Sequence, residues 1–233
     1  FLVRPFSPLV LQLRVNLNIA KTMERVEANA LTHLPGNHAI EKIVLKKIQA
    51  GEKFSVLYID INNFKAFNDH YSFQKGDEAI LQTARILVTT SHAMARDGEC
   101  FIGHIGGDDF VYLTTPDKEE QIAQECINEF DRLIPLHYSG NDRENGFIKT
   151  KDRGGRMADI PIMGLSIAIV NSRNTKIHSV FQLIEITFEI KKFLKKKHTS
   201  NYLINRRVID SGSNNRQALH EKYAHELKRH HHH

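Results

Sequence analysis

Two short runs of strand character, CFIGHI and FVYLTT, flank Gly106-Gly107-Asp108-Asp109-Phe110. That arrangement points to a tight hairpin, because two adjacent glycines tolerate the positive φ that such turns need. The same turn sets Asp108 beside Asp109. Carboxylates packed this closely repel each other, and a bound divalent cation relieves the repulsion. A Gly-Gly-Asp hairpin can also be a turn and nothing more, so a second acidic position must give it chemical meaning.

Asp60 supplies that position, in FSVLYIDINNFKAFND. Phe54 to Ile59 is a nearly continuous apolar run, the pattern of a central strand buried on both faces. The run ends at Asp60, and a short helical stretch follows Asn62, Asn63, Phe64 and Lys65. A carboxylate at the end of a buried central strand is where α/β proteins place ligand chemistry. If the hairpin strands pair beside this one, Asp60 and Asp108 can share a metal. A capping or turn role for Asp60 is the weaker alternative once the hairpin is counted.

A chain of 233 residues can bury one sizeable core. Residues 1–30 and 208–233 read as appendages, the second ending in a histidine tag, and the chain reads as a fragment. Hydrophobic content of 41% and charged content of 25% suit a soluble globular protein. No apolar run approaches the length of a membrane span. The two cysteines, at 100 and 126, form neither a disulfide framework nor a metal-ligand spacing, so a cytoplasmic setting is expected, whatever anchors the parent protein. The net charge of +5 concentrates in the lysine run 191–197 and in the segment 143–156. Nucleic-acid binding would need a broader basic stripe interleaved with aromatics, and none is present.

Helical spacing of apolar residues marks Leu9–Val26, Asn37–Ala50, Asp77 to about Thr90, Lys118–Ile134 and His178–Lys196. The first could be a connector from a sensor domain or could pack on its own domain. Ile162–Val170 reads as a strand, and a last strand falls near Tyr202. Between them, 137–159 is polar, Gly-rich and charged; Tyr138, Phe147 and Ile148 mark it as a folded β-excursion, read by default as surface decoration. Periodicity alone yields α/β or α+β.

Taken together, these motifs resemble the GGDEF domains, most of which are diguanylate cyclases, over about Leu31 to Arg207. LTHLPGN is similar to the family's opening motif, with a Gly inserted and His38 where Arg is usual. DINNFKAFNDHYSFQKGDEAI matches its strand–loop–helix signature with Asp60, Phe64, Lys65, Asn68, Asp69, Gly76 and Asp77 in register. GGDDF stands for the name motif, MGLSIAIV for a later strand and IEITFEIKKFLKKK for the final helix.

The resemblance implies a palm-like, ferredoxin-related central sheet, antiparallel or mixed, surrounded by helices. It implies an enzyme that condenses two GTP into cyclic di-GMP and pyrophosphate with Mg²⁺ or Mn²⁺, working as a homodimer and joined in the full protein to sensor or effector domains. Metal ligands would be Asp60, Asp108 and the Ile61 carbonyl, with Asp108 and Asp109 as catalytic residues. The amides of Asn63, Phe64 and Lys65, together with Lys191 and Lys195, would hold phosphates. Asn68 and Asp77 would read guanine: a carboxylate accepts from N1–H and the 2-amino group, whereas adenine offers neither donor on that edge. Asp77 can also serve as the N-cap of the helix that GDEAIL opens.

The chain departs from the family pattern in three places. Ser72-Phe73 replaces the usual Gly-His. Asp109 replaces a longer acid. The family's Arg-x-x-Asp feedback motif is missing, with Asp97 and Cys100 at its two ends and a similar RDGE element, Arg96–Glu99, one residue out of register. A module that binds GTP or cyclic di-GMP without turnover, and regulates a partner domain, is therefore the competing reading. The Gly-Gly-Asp-Asp run also marks the palm domains of type III CRISPR cyclic-oligoadenylate synthases, which the Asn68/Asp77 pair disfavours.

Overall fold

The computed structural model describes residues 27–94, 100–151, 155–195 and 199–205. The candidate helix Leu9–Val26 and the Arg96–Glu99 element lie outside the described residues. In chain order the elements are α1 (Asn37–Gln49), β1 (Ser55–Asn62), α2 (Phe64–His70), α3 (Phe73–Met94), β2 (Phe101–Gly106), β3 (Asp109–Thr114) and α4 (Glu119–Leu133). A 3₁₀ turn (Ile134–His137) leads to α5 (Gly140–Asn145), β4 (Phe147–Lys151), β5 (Met157–Pro161), β6 (Gly164–Asn171), α6 (Val180–Leu194) and β7 (Asn201–Ile204).

Five strands form the central sheet in the order β2-β3-β1-β6-β7. It is antiparallel except for the parallel β6–β7 pair, so it is mixed, with β1 at its centre. Strand alternation explains how both faces become cores. Leu57, Ile59 and Ile61 of β1, Phe110 and Tyr112 of β3, and Leu165, Ile167 and Ile169 of β6 pack against α3, α4 and Phe67 of α2. Val56, Val111, Leu113, Ala168 and Val170 face the other way, onto Ile40 and Val44 of α1 and Leu183, Ile186, Ile190 and Leu194 of α6. With a helical layer on each face, the apolar continuity of β1 follows directly.

The described residues of the excursion after α4 are folded, as its apolar residues imply. β4 and β5 form a separate two-stranded sheet with Phe147 opposite Pro161, and Ile148 is fully buried in the main core. The start of α3 differs from the sequence expectation, lying at Phe73, four residues before Asp77. The Ser72 hydroxyl accepts from the Lys75 amide at 3.3 Å, so Ser72 takes the capping role and Asp77 lies inside the helix. Among the described residues, no helix is long and apolar enough to cross a membrane.

Candidate cation and nucleotide site

The hairpin forms as its two glycines require. Gly106 and Gly107 have φ of 150° and 56°, and Gly106 pairs with Asp109 across the turn. β3 then runs antiparallel to β1 with Asp60 directly opposite Asp109. The Ile61 amide donates to the Asp108 carbonyl at 3.3 Å, tying the turn to the end of β1. As a result Asp60, Asp108 and Asp109 each bring a carboxylate oxygen to within 4.8 Å of the others. The two acids named at the outset and the one upstream therefore meet, beside the backbone of Ile61.

Alternation sends Asp60 to the α6 face of the sheet. There Lys191 lies 2.7 Å from Asp60 Oδ2 and 2.6 Å from Asp109 Oδ1, with its ammonium 4.7 Å from the centre of the Tyr58 ring. Lys195, one helical turn on, lies 3.1 Å from Asp60 Oδ1. The sequence spacing places both lysines on one face, as found, but that face rests on the acids. Three clustered carboxylates need counter-charge, and α6 delivers it from the nearest helix.

The electrostatics follow from burial and this crowding. Burial opposes an ionised Asp60, which is only 2% exposed, but Lys191 and Lys195 overcome it and hold its pKa below the ordinary carboxylate range. Burial raises the pKa of Asp108, and the charge of Asp60 adds to that. Burial pushes Asp109 up to about 7; Lys191 opposes the shift, while Asp60 and Asp108 reinforce it. For Lys191, burial would lower the pKa, but Asp109 foremost among its neighbours reverses this, so the ammonium stays charged. Asp60 Oδ1 is buried, with the Lys195 ammonium as its charged neighbour. Hard oxygen donors at this density fit a hard divalent cation such as Mg²⁺ or Mn²⁺.

Asn63, Phe64 and Lys65 lie where the chain leaves β1, and Asn68 and Asp77 lie on the two helices that follow. Asn63 adopts the left-handed conformation, with φ of 63°, and caps α2. Phe64 packs partly into the core, and Lys65 is exposed. Asn68 comes from α2 and Asp77 from α3, with Gly76 between them: a Cβ at Gly76 would stand 1.9 Å from Asn68 Oδ1. Only glycine permits that approach. Asn68 Oδ1 is itself buried and without a hydrogen-bond partner, while Asp77 is exposed.

Two supporting groups escaped the sequence reading. His104 of β2 braces the hairpin: its Nε2 lies 3.0 Å from the Gly107 carbonyl, its Nδ1 2.9 Å from Thr32 Oγ1, and its ring stacks on Phe110 at 4.3 Å. Because a carbonyl only accepts, Nε2 carries the proton and the neutral Nδ1 accepts from Thr32. Burial lowers the pKa of this histidine. A polar residue breaking the apolar run CFIGHI was the available signal. The second group, Tyr71 with Asp142, joins positions 71 residues apart, and no local pattern announces it.

Comparison with known proteins agrees with the fold and identifies the family. The family profile described as "Diguanylate cyclase, GGDEF domain" matches residues 27–146. Diguanylate cyclase VdcA of Vibrio cholerae serotype O1 is 29% identical over 133 residues, which are 57% of this chain and 37% of that protein. Diguanylate cyclase DgcP of Escherichia coli K12 is 28% identical over 124 residues, 48% of this chain and 35% of that protein. The chain thus spans a little over a third of the length of these relatives. Among solved structures, the coiled coil and GGDEF domain of DgcB from Caulobacter crescentus, in complex with c-di-GMP, superposes with a TM-score of 0.58 at 15% identity, covering 83% of this chain and 94% of that one. Diguanylate cyclase SiaD of Pseudomonas aeruginosa, in complex with its activator SiaC, gives a TM-score of 0.58 at 14% identity, covering 84% of this chain and 68% of that one.

Proposed function

The chain belongs to the GGDEF family, and on that premise we propose that it is a diguanylate cyclase domain acting on GTP. The observation that carries the reading is the convergence of Asp60, Asp108 and Asp109 at the end of β1. Asp60, Asp108 and the Ile61 carbonyl would hold Mg²⁺ or Mn²⁺. When bound, such an ion lowers the pKa of a hydroxyl and neutralises phosphate charge.

The remaining work falls to the chain's own residues. Asn68 and Asp77 would orient guanine, Asp77 accepting from N1–H and the 2-amino group. The amides of Asn63, Phe64 and Lys65, with Lys191 and Lys195, would hold the polyphosphate. In the reaction the 3′-oxygen of one GTP bonds to the α-phosphorus of the other. The bond from that phosphorus to the bridging oxygen breaks, and pyrophosphate leaves. Asp109, with a pKa of about 7, is suited to take the hydroxyl proton. Two such steps close the ring, so two protomers, each presenting one GTP, form the working unit.

One observation favours a second reading. Asp109 has a short side chain and is engaged by Lys191 at 2.6 Å, an arrangement that also suits a receptor module binding GTP or cyclic di-GMP without turnover. Incubation with GTP and Mg²⁺ or Mn²⁺, followed by product analysis, separates the two. Cyclic di-GMP should accumulate, with specific activity rising with protein concentration. Bound but unconverted GTP would favour the receptor.

A further inference from the structure

We infer that the excursion from Tyr138 to Pro161 positions the nucleotide-reading helix α2, and that Tyr71 and Asp142 are positioning residues for guanine selectivity. The inference rests on the nucleotide reading above. Helix α2 has only seven residues. Helices this short have little stability of their own and take their orientation from their surroundings. Here the excursion holds α2 at both ends and in the middle.

At the N-terminal end, Asn63 Nδ2 donates to the Pro161 carbonyl of β5 at 3.1 Å. This contact steadies a left-handed residue that the β1–α2 turn requires. In the middle, the buried Phe67 ring meets Tyr138 at 4.9 Å and Tyr71 at 4.9 Å. At the C-terminal end, the Tyr71 hydroxyl donates to Asp142 Oδ2 at 2.5 Å and accepts from the Ser139 amide at 3.0 Å. His70 adds a contact of 3.6 Å to the same carboxylate oxygen.

The excursion is itself anchored. The Ser139 hydroxyl donates to Asp142 Oδ2 at 2.7 Å. Tyr138 accepts from the Met163 amide at 2.8 Å, and the Ile162 amide donates to the Gly146 carbonyl at 3.2 Å. This fixes the excursion to the start of β6.

The consequence for recognition lies one residue past Phe67. Asn68 is wedged against Gly76, and Asp77 follows Gly76 on α3. The relative placement of Asn68 and Asp77 is thus the placement of α2 against α3. Loosening the C-terminal end of α2 at Tyr71 would misalign the pair that discriminates between bases, while the phosphate-holding amides at the other end, where Asn63 stays tied to Pro161, would change less. Such misalignment weakens GTP more than ATP, because only guanine depends on that pair.

The test is equilibrium binding of non-hydrolysable GTP and ATP analogues to wild type, Tyr71→Phe, Asp142→Ala and Asp142→Asn, with the melting temperature of each recorded. Tyr71→Phe keeps the ring and removes only the hydroxyl. It should lower the GTP:ATP affinity ratio about fivefold, the scale of one lost hydrogen bond. Asp142→Ala should do the same, and Asp142→Asn, which retains an acceptor for Tyr71, should recover most of the ratio. A merely structural defect would lower both affinities together and leave the ratio intact. If wild type prefers GTP and every variant keeps that ratio, the positioning role is wrong and the nucleotide reading stands. If wild type shows no preference, the nucleotide reading fails and the inference fails with it.

Discussion

Strand β1 meets a buried carboxyl group at each end, and the two are treated in opposite ways. At the Ser55 end stands Glu119, 5% exposed. It accepts from the Ser55 hydroxyl on one oxygen and from Asn171 Nδ2, at 2.7 Å, on the other. Both donors are neutral, both oxygens are used, and Asn171 is in turn held by the Asn174 amide at 2.9 Å. At the other end stands Asp60, with two more acids close by and two lysines against it, Lys191 on one oxygen and Lys195 on the other. A buried acid satisfied by neutral partners is a structural tie between β1, α4 and β6. A buried acid crowded with charge of both signs carries unresolved electrostatic repulsion, which is the condition a ligand can relieve.

The contrast is broken most severely by removing charge from one end. Asp60→Asn or Asp108→Asn should cut cyclic di-GMP formation by about 10³-fold or more, since each removes charge from the proposed cation site. Activity within tenfold of wild type in either variant would erase the distinction. The next effect is on stability. Lys191→Met leaves Asp60 and Asp109 without their main counter-charge, and breaking a buried pair on one side costs about 3–5 kcal/mol. Thermal unfolding should show that loss, with Mg²⁺ or Mn²⁺ restoring part of it because a cation binds only the folded site. A loss that no cation relieves would mean Lys191 does not share the carboxylates with a metal.

The smallest effect belongs to the Glu119 end. Glu119→Gln retains an acceptor for Asn171 and offers a donor that a rotated Ser55 hydroxyl can accept. It should cost about 1 kcal/mol, measured by denaturant unfolding, and leave activity per folded molecule unchanged. A large fall in activity at full folding would make the two ends functionally alike.

The sequence carried the Asp60 end further than the excursion. Alternation along FSVLYID and FVYLTT determines which residues face α6, and two glycines at 106 and 107 determine the turn, so the meeting of Asp60 with Asp108 and Asp109 is legible locally. The spacing of Lys191 and Lys195 shows a shared helix face, but what that face touches depends on how α6 packs across the sheet. The start of α3 is not legible locally because Asp77 and Ser72 are both good caps, and the choice depends on α2 packing against Gly76. The grip of Tyr138–Pro161 on α2 rests on side chains and carbonyls far apart in the chain, such as Asn63 with Pro161. Periodicity is blind to such contacts.

The Asp60 end of β1 is the proposed cation site, and the Glu119 end is not. Titration of Mn²⁺ in the presence of a non-hydrolysable GTP analogue, read by the loss of the free-ion paramagnetic resonance signal, tests it directly. Wild type and Glu119→Gln should bind Mn²⁺ saturably and alike, and Asp60→Asn and Asp108→Asn should lose that binding. Equal Mn²⁺ binding by wild type and Asp108→Asn, beyond what the nucleotide alone takes up, would mean that these carboxylates do not hold the cation.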